Sequence, residues 1–105
     1  MSRPPIHPGE ILAEDLADIG VKASELARQI NVPPSRVSRI LNGKQAITGD
    51  TALRLGHWFG NSAQYWLNLQ MNYELRLAEQ DAGGEIEALP VRSATPPPPR
   101  QPALI

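Results

Sequence analysis

The sequence predicts an all-α domain of five helices followed by a flexible, proline-rich tail. Two observations lead to this fold class. Apolar residues recur at three- and four-residue intervals up to about residue 80, as on the buried faces of helices, and no segment has the pattern of a strand. Six of the eleven prolines then fall between residues 90 and 102, where no helical period continues.

The first two helices are predicted over residues 8–19 and 23–30. The first has Pro8 in its first turn and Gly20 just after its last residue, an asymmetry that is common at helix ends. The residues expected to face the core are Leu12, Leu16 and Ile19 in the first helix and Leu26, Ala27 and Ile30 in the second.

The third helix is predicted over residues 34–42 and ends at Gly43. The fourth begins where Thr48 and Asp50 offer capping oxygens, and it stops at Gly60. Both helices are short, so their stability depends on packing against the rest of the domain.

The fifth helix is predicted to begin at a pair that resembles a capping box, Asn61 and Gln64, and to run to about Glu79. It carries two apolar stripes, of which one is expected to complete the core and the other to need a partner. The first stripe consists of Trp66, Leu69, Tyr73 and Leu77, and the second stripe consists of Leu67, Met71 and Leu75. The pattern does not decide which stripe does which, and a helix buried on two sides of one subunit is the alternative. We expect a homodimer, with an interface drawn from Trp66, Leu67, Leu69, Met71, Tyr73 and Leu75.

The composition favours a small binding module over an enzyme. The chain has 105 residues and no cysteine, which excludes disulfides, thiolate nucleophiles and thiolate metal sites. Its two histidines, His7 and His57, have no acid at ligand or relay spacing, so we expect neither metal, cofactor nor catalysis. Without an apolar run of membrane-spanning length or a signal peptide, we expect a cytoplasmic protein.

The net charge of −1 conceals an uneven distribution along the chain. Residues 22–54 hold six basic and two acidic side chains, whereas residues 10–18 hold four acids and no base. Residues 74–87 hold five acids and one arginine. A basic middle between acidic flanks indicates two different partners, although ordinary solvated faces would give the same counts.

Residues 23–44 have the pattern of a helix-turn-helix, in which the third helix enters the major groove of DNA. Asn31 lies between the two helices and tolerates the left-handed backbone of a sharp turn. Val37, Ile40 and Leu41 share one arc of the third helix and anchor it to the core. The opposite arc is polar, carries no acid, and consists of Ser35, Ser38, Arg39 and Asn42, with Arg36 at its edge.

The position of each polar residue suggests its role on DNA. Arginine can make paired hydrogen bonds to a guanine edge, and the first turns of a recognition helix reach the bases. The predicted base contacts are Ser35, Arg36, Ser38 and Arg39, and the predicted phosphate contacts are Ser24, Arg28, Asn42 and Lys44. The alternatives are a helix-turn-helix used only for protein contact and, for Ser24 and Arg28, simple solvation.

The chain divides at about residue 80. Residues 1–80 are predicted to form the helix-turn-helix and dimerisation domain, and residues 81–105 a flexible tail. A tail that serves as a PxxP-like ligand is an alternative to a solvated one.

The sequence from residue 6 to residue 79 resembles the HigA antitoxin family, whose members are also described as VapI-like plasmid-maintenance antidote proteins. This family belongs to the lambda-repressor-like helix-turn-helix class. The matching blocks, in order, are HPGEIL from residue 7, ELA from 25, VPPSRVS from 32, NGKQAIT from 42, DTALRL from 50 and WLNLQ from 66. Asn31 departs from the pattern, because glycine is commoner in the turn.

The resemblance implies five helices, a homodimer, repression of the protein's own operon at an inverted-repeat operator, and a toxin partner. That partner is expected to be similar to HigB, a small, basic, RelE-like ribonuclease that cleaves mRNA on the ribosome. The acidic side chains of the first helix are a predicted electrostatic match for it, with a solvated face as the alternative: Glu10, Glu14, Asp15 and Asp18. Two other readings remain, a solitary repressor without a toxin and an adaptor that acts through the tail.

Overall fold

A computed structural model describes residues 4–92, within which the chain forms five α-helices and no strand. The fold class predicted from the sequence is therefore confirmed. The helices are α1 (Pro8–Ile19), α2 (Ala23–Gln29), α3 (Pro34–Leu41), α4 (Gly49–Phe59) and α5 (Ala63–Glu87). No helix in this part of the chain combines the length and the apolar character needed to cross a bilayer.

Local sequence explains where α1 and α4 begin and end. His7 and Glu10 form a capping box at the start of α1: the His7 ring accepts the Gly9 N–H, and the Glu10 carboxylate accepts the His7 N–H. The Thr48 hydroxyl caps α4 by accepting the Thr51 N–H. Both helices then end at a glycine with left-handed backbone, as the sequence predicts.

The start of α5 differs from the prediction. Ser62 is the capping residue, and its hydroxyl accepts the Tyr65 N–H at 3.1 Å. The Asn61 side chain instead accepts a hydrogen bond from the indole of Trp66 at 2.9 Å. Gln64 donates to the side chain of Asn68, so Asn61 and Gln64 do not form a capping box.

The far end of α5 also differs from the prediction, because the helix continues through residues 81–87, which were expected to belong to the tail. Extending a helix that already exists adds one hydrogen bond for each residue that is fixed, and the Gly83–Gly84 pair costs only about 1 kcal/mol per glycine relative to alanine. The rest of the predicted tail that the structure covers, residues 88–92, is not helical. Residues 93–105 lie outside the described residues.

All five helices contribute to one core. Trp66 is completely buried in it, so the stripe of α5 that contains Trp66 completes the core, and Trp66 is not available for the dimer interface in which it was predicted. The other core residues are Leu12, Leu16, Leu26, Ala27, Ile30, Val32, Val37, Ile40, Ile47, Ala52 and Leu55.

Gly9 lets α1 approach α3 closely. A β-carbon at this position would lie only 1.9 Å from the carbonyl oxygen of Ile40, in the last turn of α3. Only glycine is compatible with that approach. The first turn of α1 therefore braces the end of the helix that the sequence assigns to DNA.

Candidate nucleic-acid interface

Helix α3 has a buried face and an exposed face, arranged as the sequence predicts. Val37 and Ile40 are buried in the core. Ser35, Ser38 and Arg39 lie on the opposite side and are exposed. The turn before α3 is sharp because Asn31 adopts a left-handed backbone with φ of 58°, as expected for that residue.

The exposed polar side chains beside and along α3 are free to bind a ligand. None of them makes a side-chain hydrogen bond or ion pair with another residue between 4 and 92; they are Ser35, Ser38, Arg39, Asn42 and Lys44. All five are exposed. A polar surface with a cationic arginine and lysine and no acid is the kind of surface that DNA accepts.

Arg36 is placed differently from the other predicted base contacts. It is half-buried at the edge of α3, and its guanidinium donates to the carboxylate of Asp50 on α4 at 2.8 Å. The Arg36 side chain therefore ties the recognition helix to α4. To reach a base or a phosphate, it would have to leave that carboxylate.

Arg54 is a structural residue of the helix-turn-helix that the sequence analysis missed. Its guanidinium donates to Asp50 at 3.0 Å and to the backbone carbonyls of Ile30 and Asn31 at 2.9 and 3.4 Å. These bonds join α4 to the turn between α2 and α3. The four-residue spacing of Asp50 and Arg54 was a visible signal for their ion pair, but the bonds to the turn depend on tertiary packing.

The two acids of the basic segment are both engaged. Hydrogen bonds from Arg54, supported by Arg36, lower the pKa of Asp50. Hydrogen bonds from Gln29 and from Arg28 lower the pKa of Glu25. The two carboxylates thus take up three of the six bases in residues 22–54.

The bases without an acid partner in this segment are Lys22, Arg39 and Lys44, the last two of which are the predicted contacts at and after α3. Of the predicted phosphate contacts on α2, Ser24 is exposed, and Arg28 is exposed but paired with Glu25. An exposed ion pair of this kind contributes little to stability, so it does not prevent Arg28 from turning to a phosphate.

The acidic face of α1 is largely solvated. Glu14 and Asp18 are exposed and Asp15 is half-buried, whereas Glu10 is engaged in the capping box described above. Within residues 4–92, no three acidic, histidine or cysteine side chains are grouped so that they could hold a metal ion.

The second stripe of α5 is exposed in the single chain. Met71 is 52% and Leu75 is 57% exposed, and Leu67 of the same stripe is half-buried. Leu69 and Tyr73 are also half-buried, but they lie on the stripe of Trp66, where Tyr73 packs against His7. Large apolar side chains that recur on one helical face without a covering element are typical of an interface.

Comparison with known proteins agrees with this geometry. The sequence profile described as "Helix-turn-helix" matches residues 12–66. Virulence-associated protein I of Dichelobacter nodosus is 52% identical over 79 residues, which cover 74% of this chain and 73% of that protein.

Solved structures give the same result at higher coverage. An addiction module antidote protein of the HigA family from Coxiella burnetii has a TM-score of 0.80 and 45% identity, over 90% of this chain and 99% of that one. The Pseudomonas aeruginosa antitoxin HigA with the higBA promoter has a TM-score of 0.80 and 39% identity, over 84% and 97% of the two chains. The family is one of helix-turn-helix proteins and not of enzymes, as the sequence predicts. This chain belongs to the helix-turn-helix family and, within it, to the group of HigA-type antitoxins.

Proposed function

We propose that this protein is the DNA-binding antitoxin of a toxin-antitoxin pair and that it represses its own operon. The observation that carries the proposal is the outward face of α3, where Ser35, Ser38 and Arg39 are exposed and unpaired within residues 4–92, while the opposite face of the helix is buried in the core. The relative that was solved with the higBA promoter supports the assignment of DNA as the ligand. A protein that binds an operator works where the chromosome is, so we place it in the cytoplasm.

Base recognition is assigned to the first two turns of α3. Arg39 has the planar fork that matches the two acceptors of a guanine, and Ser35 and Ser38 suit either hydrogen-bonding polarity. Arg36 contributes a further contact at the edge of this surface if its guanidinium releases the Asp50 carboxylate and binds DNA.

Phosphate contacts are assigned to the two sides of α3. Asn42 and Lys44 follow its last turn, and Ser24 and Arg28 lie on α2. These contacts position the protein without reading sequence, so their contribution to affinity should fall steeply with salt.

We assign the exposed stripe of α5 to a homodimer. Met71 and Leu75 would lie at its centre and the half-buried Leu67 at its margin. Leu69 and Tyr73, which the sequence also assigned to the interface, lie on the other stripe and are left out of this assignment. Two recognition helices related by a twofold axis would read an operator with inverted half-sites about one turn of DNA apart.

The proposed toxin partner is a small basic ribonuclease similar to HigB and RelE. Exposed Glu14 and Asp18, with Asp15 and Glu10 beside them, present negative charge on a face of α1. Charge of opposite sign on the two partners accelerates association and orients the encounter. Neutralising these four acids should weaken toxin binding, and unchanged toxin affinity would show that α1 is merely solvated.

Expression of the neighbouring short reading frame tests the antitoxin assignment. Alone, that frame should arrest growth, and coexpression with this chain should relieve the arrest and yield one complex on purification. Operator binding is tested separately, with DNA from upstream of the two genes. If the protein binds the operator but the neighbouring frame causes no arrest and no complex forms, the antitoxin assignment is wrong. The second candidate, a solitary helix-turn-helix repressor, then replaces it, because such a repressor would have the same DNA-binding surface.

A further inference from the structure

The loop between α3 and α4 is held from behind by side chains that do not reach the DNA face. The loop spans residues 42–48 and contains Asn42 and Lys44, which are assigned above to phosphates. Its backbone donates a hydrogen bond to Gln70 of α5, and the ring of His7 at the start of α1 packs beside it. Any role of these anchors in DNA binding rests on the proposed function, because it concerns how the loop meets DNA.

Gln70 is the stronger of the two anchors. It is a polar side chain only 6% exposed, on the side of α5 that faces the loop. Its Oε1 accepts the N–H of Ile47 at 2.8 Å, across 23 positions of the sequence. Its Nε2 donates to the carboxylate of Glu74 at 3.0 Å, which fixes the orientation of the amide.

His7 binds the same loop nearer to its start. One ring nitrogen accepts the Gly9 N–H, and the backbone of Gln45 lies close enough to the ring to favour its charged form. The ring faces Gly43 and packs edge-on against Tyr73 of α5, with centroids 4.9 Å apart. The loop is therefore packed against the His7 ring and hydrogen-bonded to α5.

The position of Lys44 depends on these backbone anchors. The Lys44 side chain makes no hydrogen bond or ion pair within the described part of the chain. The position of its ammonium group therefore depends on where the backbone of the loop places the Lys44 α-carbon. Its N–H donates to the Arg39 carbonyl at 2.8 Å on one side, and Ile47 is fixed by Gln70 on the other.

We propose that Gln70 is a positioning residue for operator binding: it holds the 42–48 loop so that Lys44 meets a phosphate. Gln70 itself lies behind the loop and contacts no DNA. It is next to Met71 of the exposed α5 stripe. The helix assigned to dimerisation therefore also positions the loop that carries the Lys44 phosphate contact.

Gln70→Met tests the proposal, because methionine keeps the length of the side chain and loses the acceptor for Ile47. Affinity should fall several-fold on operator and unrelated DNA alike, and the slope of log K against log salt should become shallower by about 1, the share of one phosphate. The Ile47 amide should exchange faster with solvent. Gln80→Met makes the same chemical change at an exposed site on the same helix and should alter none of these quantities.

Two further variants separate positioning from a general loss of structure. Gln70→Glu combined with Glu74→Gln restores an acceptor for Ile47 and reverses the second bond, so it should recover both affinity and amide protection. If Gln70→Met fails to fold, Glu74→Ala removes only the group that orients the Gln70 amide and should give a smaller loss with the same salt signature.

Lys44→Ala distinguishes failure of this proposal from failure of the proposed function. If Lys44→Ala weakens DNA binding and Gln70→Met adds nothing to it, the two act on one contact and the proposal stands. If Lys44→Ala weakens binding but Gln70→Met alone leaves affinity and salt slope unchanged, the positioning role is wrong and DNA binding by the loop stands. If Lys44→Ala itself has no effect, the phosphate assignment is wrong and the positioning role falls with it.

Discussion

The outer faces of α3 and α5 are both exposed, yet they differ completely in chemistry. The face of α3 carries Ser35, Ser38 and Arg39, whose polar groups are unpaired within residues 4–92, whereas the face of α5 presents Met71 and Leu75. A polar cationic face gains by exchanging water and counterions for phosphates and base edges, and an apolar face gains by leaving water. Both faces are exposed, and it is their polarity that fits the face of α3 to DNA and the face of α5 to a second apolar surface.

The largest expected effect comes from a residue behind both faces. In Gly9→Ala, the added β-carbon would overlap the Ile40 carbonyl, which also accepts the N–H of Gly43 at the end of α3. Because the obstacle is backbone, we expect the free energy of unfolding to fall by about 3 kcal/mol, the upper part of the usual range for overpacking. Urea denaturation measures this loss.

Gly84→Ala is the matched control for Gly9→Ala. It lies within α5, and a β-carbon there would meet no atom within 4 Å. Alanine should therefore raise the free energy of unfolding by up to about 1 kcal/mol. Equal effects of the two substitutions would show that the close approach of α1 to α3 is not what glycine provides.

The next largest effect is expected from a substitution that disrupts only the apolar face of α5. Leu75→Glu should leave the helical content unchanged, because the side chain is already more than half exposed in the single chain, while it abolishes the homodimer. Operator affinity should fall by about a hundredfold, since one half-site loses the gain from simultaneous binding at the other. Sedimentation and operator titration measure the two quantities.

Val91→Glu places the same charge on an exposed residue outside α5 and should change neither quantity. A Leu75→Glu protein that sediments as a dimer would contradict the assignment of this stripe.

The polar face is tested at a single side chain. Arg39→Ala should cost about 1–3 kcal/mol on the operator and relax the preference at one base pair. The measurement is a titration of the operator and of variants changed at each position in turn. Lys44→Ala provides the contrast, because it should lower the affinity by the same factor for every DNA sequence. If Arg39→Ala lowered the affinity equally for all of these DNA sequences, Arg39 would be assigned to the DNA phosphates and not to the bases.

Helix existence and the two faces of α3 could be predicted from sequence because they depend on local periods and caps. The contact from Arg36 to Asp50 could not, since it joins residues 14 positions apart and depends on the angle between two helices. The sequence left the choice between the stripes of α5 open for the same reason: Trp66 and Met71 are both apolar, and only packing decides which one is buried. The glycine pair in α5 was misleading because a helix already formed can continue through it.

The smallest effect concerns His7, which touches elements behind both faces. Burial lowers its pKa below the ordinary value of 6.5, and the nearby Glu10 carboxylate and the Gln45 carbonyl only partly oppose this. Below about pH 6.5 the unfolded chain therefore binds a proton that the folded chain does not, so acidification favours unfolding. The free energy of unfolding should fall with pH by at most about 1.4 kcal/mol per unit until the lowered pKa of the folded state is passed.

Denaturation between pH 7 and 5 measures this dependence, and two histidine variants locate it. His7→Asn keeps a capping oxygen for the Gly9 N–H but does not titrate in this range, so the pH dependence should disappear. His57→Asn replaces an exposed ring and should leave the dependence as it is in the natural chain. A dependence that persists in His7→Asn would mean that another group takes up the proton, and the link that His7 makes between α1, the 42–48 loop and Tyr73 would then not be sensitive to pH.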